Sequence, residues 1–115
     1  MLSDKIYYAD QIQPLLDNEF ILVETAPWYR LYKHKANGTL WRLDERDKYQ
    51  EQYFVRIDDY ANWKDFNATE LQIELLKKER GITGKECSWS LCANKALKGL
   101  VFCERHAYLE MGVRR

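Results

Sequence analysis

The sequence predicts an α+β fold: a small antiparallel sheet of three or four strands, one helix packed across it, and a zinc-bound C-terminal appendage. Three observations lead there. Aromatic and β-branched runs recur through the first sixty residues, broken by turn residues, which is the pattern of consecutive strands. One well-punctuated amphipathic stretch follows at about residues 68–80. All three cysteines then fall with one of the two histidines in Cys87-x4-Cys92-x10-Cys103-x2-His106. The predicted organisation is an α+β domain over residues 1–83, with a Cys3His segment over residues 84–115 docked on it.

Residues 3–18 read as a short amphipathic helix, with Ile12, Leu15 and Leu16 on one face. Pro14 is compatible with a helix only in its first turn, so the helix would start near Gln13. Phe20-Ile21-Leu22-Val23, a continuous apolar run with β-branched members, reads as a buried strand. Residues 28–35 and 39–44 are aromatic-rich strands around Ala36-Asn37-Gly38, and an Asn-Gly pair accepts the positive φ that tight hairpins demand. Neither face of that hairpin is purely polar, so both faces are expected to be at least half covered.

Residues 44–51 form a charged linker. Residues 52–58 resume strand character, with Tyr53, Val55 and Ile57 opposite Phe54 and Arg56. Asn67 and Glu70 have the spacing of a capping box for the following helix. Lys77, Lys78 and Arg80 then precede Gly81, the expected C-terminal pattern. Gly81-Ile82-Thr83-Gly84 reads as a hinge into the cysteine segment.

Hydrophobic residues make up 46% of the 115, enough for a packed core and too many for a disordered chain. No run approaches the roughly twenty apolar residues of a membrane span, and the first residues lack the layout of a signal peptide. Three cysteines cannot all pair within one chain. Their spacing suits reduced thiolates on a metal, and hence a cytoplasmic protein.

Four soft or borderline ligands close a tetrahedral zinc shell, so Cys87, Cys92, Cys103 and His106 predict a structural ion worth on the order of 10 kcal/mol to folding. Cys103 and His106 are one helical turn apart, which aims both at one ion. Leu97, Leu100, Val101 and Phe102 are placed to pack around it, with Gly99 making a tight turn. No HExxH, no HxE paired with CxxC, no phosphate loop and no nucleophile elbow is present. His34 stands alone on the hairpin as a surface strand residue, and Asp58-Asp59 ends a strand where turns commonly place acids. The expectation is a protein that is not an enzyme.

Charge is unevenly divided. Residues 1–75 carry nine Lys/Arg against fourteen Asp/Glu, a net of −5, and residues 76–115 carry nine against four, a net of +5. Trp28-Tyr29-Arg30-Leu31-Tyr32, Asn37-Gly38 and Leu40-Trp41-Arg42-Leu43 resemble the Trp-x-x-Leu-Tyr…Gly-x-x-Trp signature of small bacterial immunity proteins of polymorphic-toxin systems, the contact-dependent inhibition type among them. The similarity covers residues 27–60. It implies a cytoplasmic protein that binds and occludes a cognate toxin. An inhibitor of an enzyme with a basic cleft profits from acids and aromatic anchors. The expected partner contacts are therefore Asp44, Asp47, Tyr49, Asp58, Asp59, Tyr60 and Trp63, while Trp41 and Tyr53 are assigned to the core. The alternative is a small zinc-containing nucleic-acid-binding or regulatory protein, gripping phosphates with Lys85, Lys95, Lys98, Arg105, Arg114 and Arg115.

Overall fold

The computed structural model describes residues 2–45 and 51–115, and these form two compact units, Met1–Ala68 and Thr69–Arg115. The first is an antiparallel sheet of five strands: β1 (Ile6–Tyr8), β2 (Phe20–Ala26), β3 (Tyr29–His34), β4 (Leu40–Asp44) and β5 (Tyr53–Ile57). Their spatial order is β1-β5-β4-β3-β2. The sheet is therefore larger than the three or four strands expected, because Ile6–Tyr8 is a strand and not the start of a helix. Ile6 and Tyr8 are buried and pair with Val55 and Tyr53. The helix that follows, α1 (Gln13–Glu19), begins one residue before Pro14, where a missing N–H costs nothing.

Helix α1 covers one face of the sheet. Ile12, at its start, and Leu16 pack with Phe20, Trp41 and Phe54. Trp41 stacks on Phe54 at 5.2 Å between ring centroids, and Phe20 meets Phe54 edge-on at 5.1 Å. Tyr53, Phe54, Val55 and Ile57 are all buried, since β5 lies between β1 and β4 with both faces covered. Trp41 and Tyr53 are core residues, as expected.

The hairpin forms where Asn-Gly places it. Gly38 has φ +73°, the His34 N–H donates to the Thr39 carbonyl at 2.8 Å, and the Asn37 side chain accepts from the Thr39 N–H at 2.9 Å. His34 differs from its expected surface role: it is buried, and its Nδ1 accepts the N–H groups of Ala36 and Asn37. That leaves the Nε2–H to donate to Glu19 at 3.2 Å, so the ring clamps the turn.

The Phe20–Val23 run is a strand but not a buried one. Only Phe20 is covered, because β2 is an outer strand of the sheet. The register slips between Leu22 and Glu24, making Val23 a bulge. On the face opposite α1, Arg42 anchors the chain that follows β5. Its Nη1 donates to the carbonyls of Trp63 and Phe66, both at 2.9 Å.

The second unit contains α2 (Thr69–Arg80), the two-stranded sheet of β6 (Ile82–Glu86) and β7 (Lys95–Leu97), and α3 (Glu104–Leu109). The helix expected to serve the sheet belongs here, which moves the division of the chain from residue 83 to residue 68. The reason is its apolar face: Ile73 and Leu76 pack with Leu97, Ala107 and Tyr108. Gly81 closes α2 at φ +77°, its N–H bonded to Lys77 O at 2.8 Å. The stretch read as a hinge is β6, where Ile82 pairs with Leu97 and Glu86 with Lys95.

Candidate metal centre

The β6–β7 hairpin carries the first ligand pair. It narrows until the Cys87 N–H reaches the Asn94 carbonyl at 2.9 Å, and Cys87 to Asn94 form the knuckle at its tip. Leu91 adopts φ +63° there, and the Cys92 N–H turns back to Trp89 O at 3.1 Å. The second pair stands on α3. Cys103 is the N-cap residue, with extended backbone (φ −70°, ψ 172°), and its carbonyl accepts from the Ala107 N–H at 2.8 Å. His106 follows one turn later, as the spacing predicts. A bond from the Ser88 N–H to Val101 O, 2.8 Å, ties the knuckle to the loop before α3.

The four ligand atoms lie within 4.8 Å of one another. Zinc–sulfur and zinc–nitrogen bonds of about 2.3 and 2.05 Å in a tetrahedron put sulfurs about 3.8 Å apart and sulfur about 3.5 Å from nitrogen. The observed separations are 3.8 Å for Cys92 Sγ to Cys103 Sγ, 3.5 Å for Cys87 Sγ to His106 Nδ1, and 3.3 Å for Cys103 Sγ to His106 Nδ1. No pair is a disulfide. The cluster is thus suited to hold a single Zn2+ ion, with the His106 ligand atom being Nδ1.

Surrounding groups prepare the thiols. Burial pushes the Cys87 thiol up, but the N–H groups of Cys103 and Trp89, with His106 and Cys92, outweigh it and bring the group down to about 6. At Cys92 the Asn94 N–H favours the thiolate, yet desolvation and the neighbouring sulfurs of Cys87 and Cys103 win and raise it. The Trp89 indole stacks on the His106 ring at 4.8 Å and 13°, while the Trp89 N–H donates to Cys87 Sγ at 3.5 Å. Cys87 and Cys103 are buried and Cys92 partly so. Leu97 is buried and Leu100 and Phe102 partly buried beside the site, whereas Val101 faces solvent. Gly99, at φ +77°, makes the expected turn, and a Cβ there would press on Arg80 at 3.3 Å.

Zinc is held by thiolates and a neutral imidazole, so loading the metal-free chain displaces their protons, and affinity is expected to fall as pH falls. Calorimetry in buffers of different ionisation enthalpy reads the release, and an affinity independent of pH would remove the cysteines from the ligand set.

The expected partner contacts divide. Asp47 and Tyr49 lie outside the described residues. Asp44 is buried, because Arg42 and Asp44 share one face of β4 and pair there: Nε to Oδ1 at 2.5 Å and Nη2 to Oδ2 at 3.0 Å. Trp63, 3% exposed, is likewise a core residue. Both side chains are spent on packing within the sheet unit. Asp58 and Asp59 are exposed; Asp58 pairs with Arg56 at 3.3 Å, and Asp59 caps a short 3-10 turn, Tyr60–Asn62, by accepting from the Ala61 N–H. Tyr60 is 52% exposed. Its hydroxyl donates to the Glu24 carboxylate, which holds the phenol above its ordinary value. Glu24, Tyr60, Ala61, Trp63, Lys64 and Asp65 line an open cleft of about 350 Å³. Nothing singled out Glu24 in the sequence, although a lone charge inside an apolar strand was the available signal.

Of the basic residues proposed for phosphate, three are engaged. Arg105 forks onto Glu70 at 2.8 and 2.9 Å, Arg114 lies over the Tyr108 ring at 3.7 Å, and Arg115 pairs with Glu79 at 3.7 Å. Lys85, Lys95 and Lys98 are exposed. No described helix is long and apolar enough to cross a membrane. Comparison with protein-family models, with curated proteins and with solved structures returns no match.

Proposed function

We propose that this is a cytoplasmic, non-enzymatic binding protein that neutralises a cognate bacterial toxin by occlusion, with zinc holding the C-terminal unit together. The observation that carries the reading is the acidic ground around Tyr60. Asp58, Asp59 and Asp65 are exposed beside a half-exposed tyrosine, and Glu24 joins them across the cleft. Residues 1–68 carry nine Lys/Arg against twelve Asp/Glu, a net of −3. Such a surface matches a basic catalytic cleft in potential and offers an aromatic anchor for it. The zinc shell, filled by four protein ligands, serves folding in this reading and leaves no position for a substrate.

The test is affinity capture from cells of the source organism, with and without nuclease, comparing the native chain with a variant carrying Asp58→Lys, Asp59→Lys and Asp65→Lys. A stoichiometric protein retained after nuclease and lost on charge reversal, whose toxicity the native chain suppresses, is the expected result. Recovery of nucleic acid, unaffected by the reversals, would overturn it in favour of the basic C-terminal unit.

A further inference from the structure

The two outer strands of the sheet are unequal. β1 is three residues long, with Ile6 and Tyr8 buried, a short edge that offers little to a newcomer. β2 runs for seven residues, and Ile21, Leu22 and Val23 are 52%, 48% and 43% exposed. It carries one charge, Glu24, and neither lysine nor proline. Its single edge-blunting feature is the bulge at Val23, which follows Leu22 and leaves the first half of the strand straight.

The backbone of that half points outward. The Lys35 N–H donates to Glu19 O at 2.9 Å, so the residues alternating from Glu19 turn their polar groups toward β3. Phe20 and Leu22, in between, turn their N–H and C=O off the sheet. Among the described residues no strand pairs there. Side chains divide around this edge. Leu22 lies opposite Tyr32 on the α1 face, while Ile21 and, past the bulge, Glu24 lie on the other, where Glu24 and Asp65 line the cleft with a single cation, Lys64.

We infer that β2 is a docking edge for an extended strand of a protein partner, apolar on alternate residues and carrying a Lys or Arg over Glu24 and Asp65. Main-chain bonds to Leu22 supply the pairing, Ile21 and Leu22 the apolar contact, and the carboxylates the choice of a basic over an acidic residue. This rests on the reading of the chain as a binding protein and names the form in which the partner arrives.

The probes are acetylated nonapeptides of alternating valine and threonine with a central lysine or a central glutamate, together with a peptide of the β2 sequence. Amide exchange by NMR and fluorescence anisotropy are the readouts. The lysine peptide is expected to bind, to protect the Leu22 amide, and to outrank the glutamate peptide. Leu22→Pro removes one outward N–H, which an edge strand tolerates, and is expected to weaken binding about tenfold. Leu22→Lys, which keeps the N–H but charges the edge, covers the case in which the proline variant fails to fold. No protection at Leu22 with any peptide, or binding untouched by both variants, overturns the inference. Preference for the β2 peptide, with concentration-dependent self-association, overturns it in favour of a second copy. A captured partner lost on reversing Asp58, Asp59 and Asp65 but retained by the Leu22 variants would keep the binding reading and remove the docking strand.

Discussion

Cys103→Ser is expected to abolish stoichiometric zinc binding and to unfold residues 69–115 while leaving the five-stranded sheet protected. Cys103 is fully buried, and its Sγ lies 3.8 Å from Cys92 Sγ and 3.3 Å from His106 Nδ1. A serine hydroxyl is a poor, neutral substitute for a thiolate. A structural zinc contributes on the order of 10 kcal/mol to the folding of a small domain. The apolar core of this unit is Ile73, Leu76, Leu97, Ala107 and Tyr108 with a few partly buried neighbours, too little to stand without the ion. Both ligand pairs lie on elements that need one another, the knuckle on β6–β7 and Cys103 at the start of α3. Hydrogen exchange read by mass spectrometry before and after chelation makes the check on the native chain. Protection lost across 69–115 and kept across β3–β5 is the expected pattern. Unchanged protection after complete metal removal would make the site dispensable, and one equivalent of zinc in the variant would remove Cys103 from the ligand set.

The site was readable in the sequence because its determinants are local. Four ligands within twenty residues, two of them one helical turn apart, leave few chemical readings, and each pair sits on its own short element. The Asn37-Gly38 turn and the end of α2 at Gly81 were legible for the same reason. Non-local pairing was not. The Phe20–Val23 run looks the same at the centre of a sheet as at its edge. What puts it outside is that the remaining strand, Ile6–Tyr8, docks on β5 at the far side, and three residues are too few to show a period. Gly84 disguised β6 as a hinge in the same way. Aromatic and acidic residues near a predicted surface were ambiguous between anchor and core. Trp63 and Asp44 went to the core because the Arg42 guanidinium, itself buried, required a carboxylate and carbonyl oxygens around it.

Asp44→Asn is expected to destabilise the sheet unit by about 3–5 kcal/mol, because it leaves the Arg42 cation buried without its counter-charge. Arg42 is 2% exposed, forked onto Asp44, with the Tyr29 ring 4.4 Å from its guanidinium carbon. Two charges taken out of water recover little more than their own desolvation cost, so the intact pair is a poor source of net stability although breaking it is costly. It also follows that Arg42→Met with Asp44→Leu should recover part of the loss, short of about 1–3 kcal/mol for the buried Trp63 carbonyl and less for the part-buried Phe66 carbonyl, both left without donors. Urea unfolding of the zinc-loaded variants, read by exchange at β4 and β5 amides, separates the cases. A double variant no more stable than Asp44→Asn would mean that the ion pair itself holds the sheet. If instead stability returns, the purpose of the pair lies in those two carbonyls. Arg42 fixes the chain that carries Tyr60 and Asp65 beside Glu24, so the double variant is expected to fold yet bind its partner more weakly. Binding equal to the native chain would show that the cleft is held in place without Arg42.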